Sequence, residues 1–177
     1  MADGTLKVGT ITTSSGSGTI TLGQSGETVA LGSGATLGSG MGKVLQVVQG
    51  ISTTSTSTTS TSFVTANLSA SITPSSASNK ILIMLHGCCD TDAIGRQLYL
   101  AIFRGATNLS GGTSLSFTSS YNSAGRSINT AALTHLDSPS TTSSTTYTLH
   151  IKSDSGDNVE FCSQGTEARI ILMEIAG

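Results

Sequence analysis

Short apolar stretches separated by turn-forming residues recur along the chain from residue 44 to its end. The stretches are Val44–Val48, Phe63–Ile72, Ile81–Leu85, Leu98–Phe103, Ser114–Phe117, Ile128–Leu133, Tyr147–Ile151, Val159–Cys162 and Ile170–Ile175. Clusters of Ser, Thr, Asn, Asp, Gly or Pro lie between most of them, which is typical of strands joined by turns. About nine strands at this spacing predict a β-sandwich or barrel over residues 43–177.

Two of these stretches are continuously apolar instead of alternating. They are Ile81-Leu-Ile-Met-Leu85 and Ile170-Ile-Leu-Met173. A run of four or five apolar residues is too short for a typical helix, and it is typical of a strand that is covered on both faces. We therefore expect two central strands with the core on one face and a second subunit on the other.

Residues 1–42 have a different sequence pattern, which consists of short segments with strand-like alternation bounded by Gly. Ile20 and Leu22 are followed nine residues later by Val29 and Leu31, each pair at the spacing that places both side chains on one face of a strand. Two or three apolar side chains per phrase cannot form a core within one chain, so a stem of this kind is stable only when it associates with other copies. The alternative interpretation is a flexible Gly/Ser linker.

Composition excludes several classes of protein. Ser, Thr and 21 Gly residues dominate, yet disorder is not predicted, because the net charge is only −2 and the mean hydropathy is positive. The eight basic residues are scattered singly, which argues against nucleic-acid binding. No segment has the pattern of a signal peptide or a bilayer span, so we expect synthesis in a cytoplasm and no membrane insertion.

The densest group of possible metal ligands follows the Ile81 stretch. It contains His86, Cys88, Cys89, Asp90 and Asp92. Structural zinc sites need four ligands with paired spacings, and only Cys162 or a distant histidine is available to complete this set. In a strand His86 and Cys88 share one face and Cys89 points to the other. We interpret the group as a strand end that packs reduced thiols and turns at Asp90, without a metal.

Candidate catalytic chemistry is also sparse. The Gly-rich segment 38–43 lacks the spacing of a phosphate-binding loop, because Leu37 and Val44 stand where that loop needs Gly and Ser or Thr. His135 and His150 have no recognisable nucleophile motif beside them. We therefore expect no cofactor and no enzymatic activity.

Aromatic residues are the remaining candidates for ligand contact. Phe63, Tyr99, Phe103, Phe117, Tyr147 and Phe161 lie in strand patterns and are predicted to belong to the core. Only Tyr121 lies in an apparent loop, residues 119–126, where Asn122 and Arg126 accompany it. Tyr121, Asn122 and Arg126 are therefore the predicted binding residues, and the alternative is that the ring simply anchors the loop.

One low-complexity segment interrupts the strand pattern. Residues Ser52 to Ser62 are all Ser or Thr, and no charged residue lies between Lys43 and Lys80. A solvent-exposed surface normally carries more charge than this. The segment either lies against another copy or another protein, or forms a polar surface loop between two strands.

Six segments of the chain follow one another in a characteristic order. They are Gly42-Lys-Val-Leu-Gln-Val-Val-Gln49, Thr61-Ser-Phe63, Ser71-Ile-Thr-Pro-Ser-Ser-Ala-Ser-Asn-Lys-Ile-Leu-Ile83, Leu136-Asp-Ser-Pro139, Thr145-Thr-Tyr-Thr-Leu149 and Leu172-Met-Glu-Ile175. Their order resembles the head domain of a family of virion structural proteins of tailed bacteriophages, often described as tail fibre or fibre-like. The phrase Thr19-Ile-Thr-Leu-Gly-Gln-Ser-Gly-Glu-Thr-Val-Ala-Leu31 resembles the short β repeats that precede such heads.

The resemblance implies an all-β homotrimer with two parts. Residues 1–42 form a β-repeat stem for trimerisation and attachment to capsid, collar or tail proteins, and residues 43–177 form an antiparallel, jelly-roll-like β-sandwich head. The expected function is a non-enzymatic fibre, spike or decoration on the virion surface. The alternative is a receptor-binding tail fibre or tip whose head loops recognise a host-surface glycan. No ligand residues come with the matching segments.

Overall fold

A computed structural model describes residues 43–111, 114–119 and 125–177 of the chain. The chain divides into two units, Met1–Met41 and Gly42–Gly177, and every described residue belongs to the second. The predicted stem, residues 1–42, lies outside the described residues, as do Tyr121 and Asn122 of the predicted binding loop. The stem and the trimer therefore stay predictions.

The described unit consists of strands and connecting turns, without a helix. The strands are β1 (Val44–Ser52), β2 (Thr56–Thr58), β3 (Val64–Ile72), β4 (Lys80–Thr91), β5 (Gln97–Arg104), β6 (Thr107–Asn108), β7 (Ser116–Ser119), β8 (Ser127–Asp137), β9 (Thr145–Ser153), β10 (Val159–Phe161) and β11 (Ala168–Ile175). All nine predicted strands are present. The prediction missed β2, which lies inside the Ser/Thr run, and the two-residue β6.

The strands form two antiparallel sheets. In the first, sheet A, β4 pairs with β8 on one side and with β11 on the other, and β11 pairs with β1. Beyond the end of β11, β10 continues beside β4 and pairs in turn with β2. In the second, sheet B, the order is β3-β9-β5, and both β6 and β7 pair with β5. The all-β, two-sheet architecture predicted from the sequence is confirmed.

The core lies between the two sheets. Alternation along β3 and β9 sends every second side chain inward, as the period of a strand requires. The largest fully buried side chains are Tyr147, Phe161, Leu68, Ile72, Ile81, Ile83, Leu98, Leu100, Ile102, Leu149, Ile151 and Ile170. Burial of this apolar surface is the main term that stabilises the sandwich.

The two ends of the sandwich are different. At one, which we call the terminal end, the unit begins and finishes, and the Ala176 amide donates to the Lys43 carbonyl. At the other, the loop end, β4 finishes at Thr91, whose neighbours Ser127 and Val159 begin β8 and β10. Loops 59–63, 92–96 and 154–158 and residues 125–126 therefore gather at the loop end, opposite the point where the chain enters the unit.

Candidate functional site

The predicted binding residue Arg126 lies at the loop end, immediately before β8, and forms an ion pair. Its Nε donates to Asp90 Oδ2 at 2.7 Å, and a second guanidinium nitrogen donates to the same oxygen. The Asp90 side chain is fully buried, whereas half of the Arg126 side chain is exposed. The hydrogen bond and charge of Asp90 raise the pKa of Arg126 above its ordinary value. Arg126 thus has a structural task that the sequence did not reveal.

Asp90 also carries an unusual orphan atom. Its Oδ1 is buried and has no hydrogen-bond partner among the described residues, and the same is true of Thr91 Oγ1 beside it. A buried carboxylate is costly unless it is paired. The ion pair with Arg126 therefore offsets the free-energy cost of burying the Asp90 carboxylate. A ligand that displaced the guanidinium would leave that carboxylate buried and unpaired.

Other charged residues surround this ion pair at the loop end. Arg96 Nε lies 2.6 Å from Asp157 Oδ2, and Asn158 Nδ2 donates to Asp92 Oδ2 at 2.7 Å. The Asp92 amide donates to the Asn158 carbonyl, which ties loop 92–96 to loop 154–158. These exposed pairs contribute little to stability individually. They give the loop end a polar, charged surface held by cross-loop contacts.

The group of possible metal ligands, which the sequence analysis interpreted as a strand end without a metal, is divided between the two faces of β4. The strand continues to Thr91, so the predicted turn at Asp90 comes too early. Cys89 points into the core, where burial first and then the neighbouring Cys88 raise its pKa to about 12. All three cysteines are free thiols. In the described part of the chain, no three His, Cys, Asp or Glu side chains lie together in a group suited to a metal ion.

Three aromatic residues predicted to be core lie instead on the outer face of sheet B. Phe63, Tyr99 and Phe103 are only partly buried, and Lys152 lies between two of these rings, with its Nζ 4.9 Å from the Phe63 centroid and 5.2 Å from that of Tyr99. Phe103 meets Phe63 edge to face and stacks on His150 at 3.9 Å. The prediction was correct for Tyr147 and Phe161 and wrong for these three, because a strand has two faces and an aromatic side chain can lie on either.

His150 has no catalytic setting in this cluster. Burial lowers the pKa of His150, and its Nδ1 has no hydrogen-bond partner among the described residues. Its Nε2 lies 3.5 Å from Thr65 Oγ1, at the limit of a hydrogen bond. A general base of the Ser-His-Asp type needs an acidic residue that orients its imidazole, and the described contacts of His150 include none. The cluster is a packed outer patch that covers Ala101, which is completely buried beneath it.

The outer face of sheet A carries the most distinctive surface of the unit. The register aligns Val47, Met173, Leu82 and Leu136 in one row across β1, β11, β4 and β8, and Ile171 and Met84 stand side by side in the next row. We call these six residues the apolar face. Val47 and Leu136 are each more than half exposed and Met84 is 40% exposed. The two continuously apolar stretches predicted to be central are indeed adjacent central strands, and in the described chain their outer face is uncovered.

A buried carboxylate at the terminal end is not predicted by the sequence pattern. Glu174 interrupts the apolar run of β11, is completely buried and accepts four hydrogen bonds. Oε1 accepts from the Ser75 amide, the Ser75 hydroxyl and Asn79 Nδ2 at 2.5–2.8 Å, and Oε2 accepts from Gln46 Nε2 at 2.6 Å. A single acid within an apolar strand is the signal that could have indicated this network. It fastens loop 73–79 and β1 to the last strand.

A second buried acid lies nearby, at the end of β8. Asp137 accepts a hydrogen bond from the Tyr147 hydroxyl at 2.7 Å and pairs with Arg104 through both carboxylate oxygens. Burial, followed by the hydrogen bond to Asp137, raises the pKa of Tyr147. Asp137 and Tyr147 belong to two of the segments that carry the family resemblance. In this structure both are buried and hydrogen-bonded to each other.

A scan of the chain against protein-family models and a search of curated proteins both return no match. The resemblance to phage fibre heads therefore stays a prediction. In the described part of the chain, no helix has the length and apolar character needed to cross a membrane. The surfaces from which a function can be inferred are the apolar face, the loop end and the terminal end.

Proposed function

We propose that the chain is a non-enzymatic structural protein of a bacteriophage particle, forming a homotrimeric fibre, spike or decoration on the virion surface. In this proposal residues 1–42 bind capsid, collar or tail proteins, and residues 43–177 form the exposed head. The observation that carries the proposal is the apolar face, an aliphatic surface on the outer face of sheet A. A contiguous exposed apolar patch of this kind is often a functional contact surface.

The order of the strands supports the same proposal. If the short strands β2, β6 and β10 are left out, sheet A has the order β1-β11-β4-β8 and sheet B has the order β3-β9-β5-β7. Consecutive long strands along the chain alternate between the two sheets. This is the strand order of a jelly roll, an architecture that recurs in viral capsid and lectin domains. Fold alone does not define function, so the strand order adds to the surface argument without replacing it.

Incorporation into particles tests the proposal. An affinity-tagged full-length chain, expressed during infection by the phage that encodes it, is expected to co-purify with virions and to be labelled on their surface by antibodies against the head. A chain lacking residues 1–42 is expected to stay in the soluble fraction. If the full-length chain is absent from purified virions, the proposal is wrong.

The alternative function is recognition of a host-surface glycan by the head. The observation that favours it is the position of the predicted loop, whose described residue Arg126 lies at the loop end, opposite the point where the chain enters the unit. Loops at one end of a sandwich are common positions for binding residues. The polar pairs of Arg96 with Asp157 and of Asn158 with Asp92 provide hydrogen-bonding groups on the same surface.

Substitutions in this loop distinguish the alternative from the structural function. Because Arg126 neutralises the buried Asp90, a substitution of Arg126 would lower the stability of the head as well as any glycan binding. A loss of adsorption could then have either cause. Tyr121→Ala/Asn122→Ala with Arg126 retained is the cleaner variant. The glycan hypothesis predicts at least a tenfold loss of adsorption to host cells with normal incorporation into virions. Unchanged adsorption of these virions contradicts it.

A further inference from the structure

The apolar face has the composition of an interface core. The two rows that contain it run from β1 to β8 and hold only Val, Met, Leu, Ile, Gln and Thr, without a charged residue. Met84 and Met173 lie near its centre, and methionine side chains adapt to the shape of a packed partner. The described loops leave Val47 and Leu136, at its two ends, more than half exposed.

The size of the face can be compared with that of known interfaces. Four strands about 4.8 Å apart and the two rows about 6.8 Å apart cover on the order of 260 Å². A stable protein–protein interface buries about 800 Å² on each partner, of which the centre is apolar and the rim polar. The face therefore matches the apolar centre of one interface, and Gln49 and Thr134 at the ends of the second row match a polar rim.

We propose that the apolar face is the surface through which copies of this chain pack against one another; this inference rests on the proposed assembly. Two properties select a second copy as the occupant. The rows contain no charge that would recognise an oppositely charged partner, and another copy presents an uncharged surface of the same size. The net charge of −2 leaves little repulsion between copies at neutral pH.

Charge substitutions at the two most exposed residues of the face test the inference. Val47→Lys/Leu136→Lys in the full-length chain places two cations on the face at positions that need no burial within one copy. The matched control, Ser69→Lys/Thr142→Lys, adds the same charge at exposed positions on the outer face of sheet B and in the loop after β8. Mass in solution is measured by light scattering, and circular dichroism checks that each variant retains its strands.

We expect a trimer for the unsubstituted chain and the control, and a monomer for Val47→Lys/Leu136→Lys. If the substituted chain loses its strand signal, Val47→Ser/Leu136→Ser serves instead, with an expected increase in the dissociation constant of at least tenfold. A trimer that survives the folded face variants overturns this inference and leaves the proposed trimer intact. A dimer dissociated by the face variants supports the inference and contradicts the threefold symmetry. A monomeric unsubstituted chain overturns both, and the face then has another occupant.

Discussion

The hydrogen-bond network of Glu174 makes the stability of the unit depend on pH in a predictable way. Burial by itself raises the pKa of Glu174, but hydrogen bonds from Asn79, Gln46 and Ser75 outweigh it and lower the pKa from 4.5 to about 2. Because the folded-state pKa is the lower one, the stabilisation is complete above about pH 4.5 and is lost as the pH falls toward 2. The full difference corresponds to about 3 kcal/mol at pH 7.

The substitution Glu174→Gln removes this titration while keeping the shape of the side chain. The new amide can accept at only one oxygen, and its NH₂ group must then face a donor. Gln46 cannot simply turn its own amide over, since its Nε2 also donates to the Thr73 carbonyl at 2.7 Å. Charged hydrogen bonds are worth roughly twice as much as neutral ones, so we expect a loss of about 2–3 kcal/mol at pH 7.

The test compares the free energy of unfolding of the original chain with that of Glu174→Gln and follows this difference as the pH changes. Acids common to both cancel in this difference. With pKa values of 2 folded and 4.5 unfolded, the difference should shrink by about 2 kcal/mol between pH 7 and pH 3. Urea unfolding at fixed protein concentration, followed by circular dichroism, measures it. Glu167→Gln, at an exposed carboxylate, is the control and should show only a small difference at pH 7. A difference for Glu174→Gln that changes by less than about 0.5 kcal/mol would refute the reasoning.

Three further predictions concern the core, the thiols and the ion pairs. Gly87→Ala should destabilise the unit by about 1–3 kcal/mol in urea unfolding, because the new Cβ would lie 2.4 Å from the ring of the buried Phe161. Iodoacetamide at pH 8 should modify no more than one thiol, Cys88, in the folded chain and all three in urea, since the other two are buried with raised pKa values. Arg126→Ala should lower the urea midpoint more than Arg169→Ala, because Asp90, the partner of Arg126, is buried, whereas Glu167, the partner of Arg169, is exposed.

Each of these three has an outcome that contradicts it. A neutral Gly87→Ala would mean that the Phe161 ring can move aside at no cost. Rapid modification of Cys89 or Cys162 in the folded chain would mean that the core opens on the timescale of alkylation. Equal midpoints for the two arginine variants would mean that water reaches Asp90 once the guanidinium is removed.

The sequence was sufficient to locate the strands of the described unit. Apolar stretches bounded by turn residues marked nine of the eleven strands, because the period of two and the turn chemistry are local properties. Strand β2 was missed because Thr56–Thr58 has no apolar pattern, and its partners, β10 and Asn67 of β3, are identified only by the fold. The continuous apolar runs correctly identified β4 and β11 as central strands.

The candidate sites were less predictable. The sequence pattern predicts that Arg126 is a loop residue that meets a ligand, yet the fold places it on Asp90, 36 positions earlier in the chain. Glu174 was not selected at all, since its partner Ser75 lies 99 positions away. Phe63 and Phe103 were assigned to the core because an aromatic residue in a strand pattern gives no indication of which face it occupies.

The sequence by itself determined that the described unit is built of strands, where along the chain nine of them lie, and which two are apolar on both faces. It did so because strand formation depends on side chains close together along the chain. Only the tertiary structure decided that β11 lies between β1 and β4, and so aligned Val47, Met173 and Leu82 in one exposed row. Strand order and register join residues that are far apart in sequence, and the pattern within a single strand carries no information about its neighbour.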